Sequence, residues 1–299
     1  MTDIRPRRSA LYMPGSNARA LDKARTLPAD VLILDLEDAV APDVKASARE
    51  QVCAAVAEGG FGPREVVIRI NALETPWGEE DLAAAVAAGP DAILIPKVSS
   101  PETLAAVGLR LRRHKARESI RVWAMIETAH ATLRLDAIAS AAHDVDTRLS
   151  CFVLGLNDLA RETRARLIAG RAPMLPWMMT ALAAARANGI DILDGVYNNL
   201  TNEEGLRAEC EQARDCGFDG KTLIHPNQIA IANAIFSPSD EEVDAARLVA
   251  DAFDKPENAQ KGAIAINGRM VERLHAEMAR RVLALAEAIE KRSAHRASP

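Results

Sequence analysis

Short apolar runs alternate with longer amphipathic stretches along most of the chain. The runs fall at residues 9–13, 31–35, 66–70, 92–95, 122–126, 151–154, 190–193 and 218–223. Those at 122–126 and 151–154 are bulky and uncharged, the pattern of strands buried on both faces of a parallel sheet. Between the runs lie Ala-, Leu- and Arg-rich segments with helical spacing, among them 82–88, 103–111, 178–187 and 203–216. Eight strands, each followed by a helix, over about 225 residues match the count and length of a closed barrel. The predicted fold is therefore α/β, a (β/α)8 TIM barrel. An open doubly wound sheet is the rival. It usually stops at about five to seven strands and begins on a glycine-rich turn, for which Pro14-Gly15-Ser16 is too poor in glycine.

The pattern changes near Asp240. A helix at 241–253, a Pro- and Gly-punctuated link at 255–268 and a long Ala-, Glu- and Arg-rich helix from Met270 onward follow. We therefore divide the chain into a TIM-barrel catalytic domain, 1–239, and a C-terminal helical extension, 240–299, an arm or lid. Its apolar stripe of Val271, Leu274, Met278, Val282 and Leu285 must be covered, and a neighbouring subunit is one receiver. Residues after Arg292 read as disordered.

Composition narrows the partners. The 299 residues are 48% hydrophobic and 26% charged, with a net charge of -5. No dense Lys/Arg block has interleaved aromatics, so nucleic acid is not an expected partner. The basic cluster of Arg110, Arg112, Arg113, His114, Lys115 and Arg117 reads as the solvated end of a helix. Four cysteines without a C-x-x-C pair point to free thiols in a reducing compartment. No stretch resembles a secretory leader or a membrane span, so a cytoplasmic protein without a membrane partner is expected.

Two carboxylates stand out because each lies just past an apolar run: Glu127 in Ile126-Glu127-Thr128-Ala129 and Asp158 in Gly155-Leu156-Asn157-Asp158-Leu159. Either alone would serve as an ordinary helix cap. Together, at strand ends, they form a pair of hard oxygen ligands that favours Mg2+ over zinc or copper. Barrel enzymes carry their chemistry at the carboxyl ends of the strands. Here those ends deliver Pro14 and Gly15; Asp35, Glu37 and Asp38; Arg69 and Asn71; Lys97; Glu127; Asn157 and Asp158; Asp194 and Tyr197; Lys221 and His225. So regular a supply of ionisable groups marks an active-site rim.

These segments resemble a known family. Arg7-Arg8-Ser9-Ala10-Leu11-Tyr12-Met13-Pro14-Gly15, Leu34-Asp35-Leu36-Glu37-Asp38-Ala39-Val40, Ile68-Arg69-Ile70-Asn71 and Ile95-Pro96-Lys97-Val98 carry the likeness in the first half. The Glu127 and Asp158 segments, Gly220-Lys221-Thr222-Leu223-Ile224-His225-Pro226 and Gly268-Arg269-Met270-Val271-Glu272 continue it. In that order they resemble the citrate lyase beta-subunit-like branch of the HpcH/HpaI aldolase superfamily, which includes malyl-CoA, beta-methylmalyl-CoA and citramalyl-CoA lyases.

The resemblance implies a role for each matching residue. Glu127 and Asp158 would hold Mg2+, with Mn2+ a possible substitute. Arg69 would face the thioester oxygen and stabilise an enolate. Tyr12, Arg19, Ile224 and His225 would contact the CoA thioester, and Glu37, Asp38 and Lys97 would support Arg69 and the metal from behind. The implied reaction is carbon–carbon cleavage or formation of a 3-hydroxy-dicarboxyl-CoA, with a 2-keto acid as co-product. A carboxylic acid from the C-terminal arm would protonate the enolate within a homotrimer or hexamer. At that position the family carries aspartate, whereas this chain has Glu272, one methylene longer and followed by Arg273, Leu274 and His275. Two alternatives follow: a (3S)-malyl-CoA thioesterase, and the beta subunit of a multi-component citrate lyase.

Overall fold

In a computed structural model of the chain, which describes residues 4–297, eight parallel strands close on themselves. They are β1 (Ser9–Pro14), β2 (Val31–Asp35), β3 (Glu65–Arg69), β4 (Ala92–Ile95), β5 (Arg121–Ile126), β6 (Leu149–Leu154), β7 (Asp191–Asp194) and β8 (Gly220–Leu223). Each strand pairs with the next, and β1 pairs with β8, so the sheet has no edge. Helices follow the strands, and the fold is the (β/α)8 TIM barrel. The expected strands lie within two residues of those observed, with β7 one residue later than its apolar run.

Register decides which side chains fill the lumen. Ala10 lies opposite Val31, Ile33 opposite Val67, Val67 opposite Ala92, and Leu94 opposite Trp123. These residues pack with Met125, Cys151, Val153 and Leu193 into one buried cluster, with Tyr12 against it. Alternate positions along each strand therefore point inward, the layered filling of a barrel. The same alternation carries Asp35, Arg69 and Thr222 to the lumen at its carboxyl end.

At the amino-terminal end the lumen is stoppered by Arg7. Its guanidinium donates to both oxygens of Glu65 at 2.7 and 2.8 Å, pairs with Asp191 and lies 5.0 Å from the centroid of the Trp123 ring. On the surface, the basic helix end is solvated as expected, with Arg110 paired to Glu79 and Arg112 to Asp146. All four cysteines are free thiols, and among the described residues no helix is long and apolar enough to cross a membrane.

Two compact units are distinguished: the barrel, from Arg7 to Ala234, and a second unit from Ile235 onward that includes residues 4–6. In the second unit, the helix Asp240–Asp254 starts from a capping box in which Ser239 and Glu242 exchange hydrogen bonds. The expected link and the start of the long helix take another form. Ala263–Ile266 (β9) and Arg269–Glu272 (β10) make an antiparallel hairpin, and the helix runs only from Arg273 to Ala297. The hairpin turns at Asn267 and Gly268, both with φ positive at 50° and 77°. This is the Asn-Gly turn chemistry that matches strand twist. The stripe is also differently arranged: Val271 belongs to β10, Leu274 and Met278 are exposed, and the small residues Ala276 and Ala279 are buried instead. Residues 293–297, expected to be disordered, are helical, while 298 and 299 lie outside the described residues.

Candidate active site

Arg69 organises the carboxyl end of the barrel. It ends β3, directly opposite Asp35 at the end of β2. Two parallel bonds of 2.7 Å, from Nε and Nη2, clasp the Asp35 carboxylate, and the backbone N–H groups of Glu37 and Ala39 bond its oxygens at 2.9 and 3.1 Å. The third nitrogen, Nη1, lies 2.8 Å from Glu37 Oε2 and 3.3 Å from Asp38 Oδ2. Tyr12 stacks on the guanidinium, 4.8 Å from ring centroid to Cζ. Bidentate pairing plus stacking holds the cation in one orientation, which a lysine would not reproduce.

Glu127 follows β5 and is 1% exposed. Its Oε1 accepts the backbone N–H of Lys97 at 2.8 Å, whereas Oε2 has no hydrogen-bond partner among the described residues. Gly155, after β6, leaves room for this side chain, since a Cβ there would lie 2.6 Å from Glu127 Oε2. Burial first, and the charge of Glu37 second, push the Glu127 carboxyl up to about 7, against the pull of Lys97. Burial likewise raises Glu37, although Arg69 and Lys97 oppose it. Lys97 serves both acids: its N–H holds Glu127 and its ammonium pairs with Glu37, from a left-handed backbone with φ of 54°.

Asp158 sits on the helix Leu156–Thr163, partly exposed and paired with Arg161 one turn on. Its charge contributes to the raised Glu127 pKa. A buried carboxylate oxygen without a partner among the described residues, within the electrostatic reach of a second carboxylate, fits a hard divalent cation. No group of three His, Cys, Asp or Glu ligands forms among the described residues. Two protein carboxylates would leave the remaining positions to water and substrate oxygens, as is usual for Mg2+.

The mouth opens into a pocket of about 310 Å3 lined by Tyr12, Arg69, Asp158, Thr222 and Ile224 together with Asp35, Asp38 and Met125. The Tyr12 hydroxyl is buried without a partner, and burial holds its pKa well above that of an ordinary phenol, so it remains a hydrogen-bond donor. Of the expected contact residues, Tyr12 and Ile224 reach this pocket. His225 instead caps a short helical turn: its Nδ1 accepts the Asn227 N–H at 3.2 Å, while Gln228 Oε1 returns to the His225 N–H at 3.2 Å. Arg19 is exposed on the helix Ala18–Ala24. Glu272 belongs to the second unit, half-buried at the end of β10, where its N–H donates to His275 Nδ1 at 3.0 Å.

Asp35 is the residue whose role the sequence reading missed, since the rim was read without regard to strand parity. Counting by twos from the inward Val31 and Ile33 finds Asp35, and from Val67 finds Arg69. The same count places Asp194 and Lys221, both expected on the rim, on the outer wall, where they bond to each other at 2.7 Å.

Comparison with known proteins agrees with this fold. Residues 8–226 match the model of the HpcH/HpaI aldolase/citrate lyase family. The (3S)-malyl-CoA thioesterase of Cereibacter sphaeroides is 48% identical over 284 residues, covering 95% of this chain and 96% of that protein. Citrate lyase subunit beta of Escherichia coli is 35% identical over 288 residues, covering 95% and 94%. A crystal structure of CitE from Mycobacterium tuberculosis, in complex with magnesium, acetoacetate and coenzyme A, superposes with a TM-score of 0.72 at 29% identity, covering 97% of this chain and 98% of that one.

Proposed function

The chain belongs to the HpcH/HpaI aldolase/citrate lyase family, and from that premise we propose that it is a Mg2+-dependent enzyme acting on a 3-hydroxy-dicarboxyl-CoA thioester of the malyl-CoA type. The observation that carries this reading is the buried Glu127 Oε2, which has no hydrogen-bond partner among the described residues and feels the charge of Asp158. Bound there, Mg2+ supplies Lewis acidity toward the hydroxyl and carboxylate oxygens of the substrate. Mn2+ is a candidate substitute.

The chain's own residues do the rest. Arg69, locked by Asp35 and Tyr12, presents a fixed positive charge where negative charge develops on the thioester oxygen. Lys97 and Glu37 hold the ligand side and the arginine side of the mouth in register. Tyr12 offers its unshared O–H to a substrate oxygen.

Two outcomes share this machinery. In hydrolysis, water adds to the thioester carbon, the carbon–sulfur bond breaks and the thiolate takes a proton, giving malate and CoA. In cleavage, the hydroxyl loses its proton, the carbon–carbon bond breaks, and the thioester enolate is protonated, giving glyoxylate and acetyl-CoA. We place hydrolysis first for this chain, because relatives named (3S)-malyl-CoA thioesterase share 48% of its residues against 35% for citrate lyase beta. Cleavage is favoured by the rigid Arg69, whose geometry suits an enolate. Glu272 is the proposed carboxyl group that orients the water or protonates the enolate.

The test is to incubate the protein with malyl-CoA and Mg2+ and to assay free thiol and glyoxylate separately. Free thiol with malate supports hydrolysis, and glyoxylate with acetyl-CoA supports cleavage. Inertness toward CoA esters would instead support a subunit that needs a carrier partner. Glu272→Gln is expected to lower either rate, and sizing tests the expected trimer or hexamer.

A further inference from the structure

Behind the mouth, on the outer wall of the barrel, three buried charged side chains pack together with a fourth, the partly exposed Glu209. Asp194, which ends β7, and Lys221, in β8, are both 0% exposed, and Arg171 is 2% exposed. Lys221 Nζ lies 2.7 Å from Asp194 Oδ2 and 3.1 Å from Glu209 Oε2. Arg171 Nη1 donates to both Asp194 oxygens at 2.8 and 2.7 Å, and its Nη2 reaches the Glu209 carbonyl at 3.2 Å. Its Nε donates to Gln212 Oε1 at 2.8 Å, and the Gln212 amide returns to the Gly170 carbonyl at 2.8 Å. Arg171 also holds a left-handed backbone, φ 53°, a conformation that L residues with a side chain disfavour.

Apolar residues of the same volume are often as stable as such a buried ionic cluster, so stability alone does not explain it. What ions add is fixed geometry, and the parts this cluster fixes can be traced. Asp194 Oδ1 accepts the N–H of Gly195 at 2.8 Å, and the Asp194 carbonyl accepts the hydroxyl of Thr222, a pocket residue, at 2.9 Å. Gly195 is wedged so closely that a Cβ would lie 2.9 Å from Leu156 Cγ and 3.0 Å from the Leu154 carbonyl. Leu156 opens the helix that carries Asp158, and residues 164–170 lead from its far end to Arg171. The start of that helix is thereby packed against a residue bonded to the cluster, and its far end runs on in sequence to Arg171.

We propose that Arg171, Asp194, Lys221 and Glu209 are positioning residues that set where the Asp158 helix stands at the mouth, a role that rests on reading Asp158 as a cation ligand. Lys221→Met and Glu209→Gln remove one partner each while Asp194 keeps Arg171. Glu65→Gln, in the ionic stopper at the opposite end of the barrel, is the control for general destabilisation. Three quantities are measured: Mg2+ affinity by calorimetry, hydrogen exchange of peptides spanning 155–163, and Tm.

The expected result is Mg2+ binding weakened by at least about tenfold in Lys221→Met and faster exchange across 155–163. Glu65→Gln should lower Tm while leaving both at the wild-type level. Should Lys221→Met fail to fold, Glu209→Gln carries the same comparison. Variants of the cluster that lower Tm but keep wild-type Mg2+ affinity and exchange would overturn the proposal. A wild-type protein that binds no Mg2+ would sink the ligand reading alone. The exchange data then decide: acceleration confined to the cluster variants supports positioning, and equal rates in all variants refute it.

Discussion

At the bottom of the barrel Arg7 is clasped by Glu65 and stacked on Trp123; at the top Arg69 is clasped by Asp35 and stacked on Tyr12. The motif is the same, an arginine locked by a carboxylate and an aromatic ring, yet the two ends differ in what surrounds it. The bottom arginine is sealed into the floor. Around the top one stand Glu37, Asp38, Glu127 and Asp158 as well, more acid than the local cations neutralise, with Glu127 Oε2 and the Tyr12 hydroxyl left without partners. At the bottom the ions are paired with one another, and the polar atom left without a partner among the described residues, Trp123 Nε1, carries no charge; at the top an ionisable oxygen, Glu127 Oε2, is left open. Similar local chemistry thus serves structure or function according to whether its ionisable oxygens are all paired.

Variants can break that contrast. The largest effect is expected from Glu127→Gln, which should reduce Mg2+-dependent turnover by more than about 1000-fold, as EDTA should in the wild type. Its Tm at about pH 8 should not fall, because the change removes a buried charge that has only one donor. A large drop in Tm would mean that Glu127 belongs to the structural class. Arg69→Lys should cost roughly 100-fold to 1000-fold in kcat, because an ammonium cannot reproduce the two-bond clasp. A loss confined to KM would assign Arg69 to substrate binding alone.

Arg7→Met should do the reverse, lowering stability by about 3–5 kcal/mol through loss of the buried clasp on Glu65 while kcat at 25 °C stays at the wild-type value. Denaturant unfolding beside steady-state kinetics would check it. The smallest predicted effect sharpens the contrast by pH. Glu127, raised to about 7, binds its proton more tightly in the folded than in the unfolded chain. Its contribution to stability is therefore full below the ordinary carboxylate range and declines as pH rises to about 7. Mg2+ must displace that proton, so affinity should fall about tenfold per pH unit below 7 and level off above it. Calorimetry at about pH 6 and about pH 8 would reveal a flat profile if the proton resides elsewhere.

Much of this could be read from the sequence, and the exceptions have physical causes. The apolar runs gave the strands because barrel strands are buried on both sides, and Glu127 and Asp158 were singled out by their position just past two of those runs. Asp194 and Lys221 were misplaced because a strand end has two faces, and charge at a terminus does not reveal which one it takes. Parity with Leu193 would have revealed it. The β9–β10 hairpin was hidden in what read as a link, although Asn267-Gly268 between alternating apolar residues is itself a hairpin signal. His225 shows what the sequence does not tell, since a residue of a family-matched segment also caps a turn through its Nδ1. The Arg171 cluster was illegible because its members come from four segments that only the closed barrel brings together.

Lys97 divides its labour between two kinds of atom. Its ammonium steadies Glu37, but the group that steers Glu127 is a main-chain amide, which every residue except proline possesses. Glycine or asparagine at this codon, which tolerate the left-handed backbone, would thus shift the ionisation of both acids while leaving the aim of the Glu127 carboxylate untouched. One position separates where an acid points from how readily it gives up its proton.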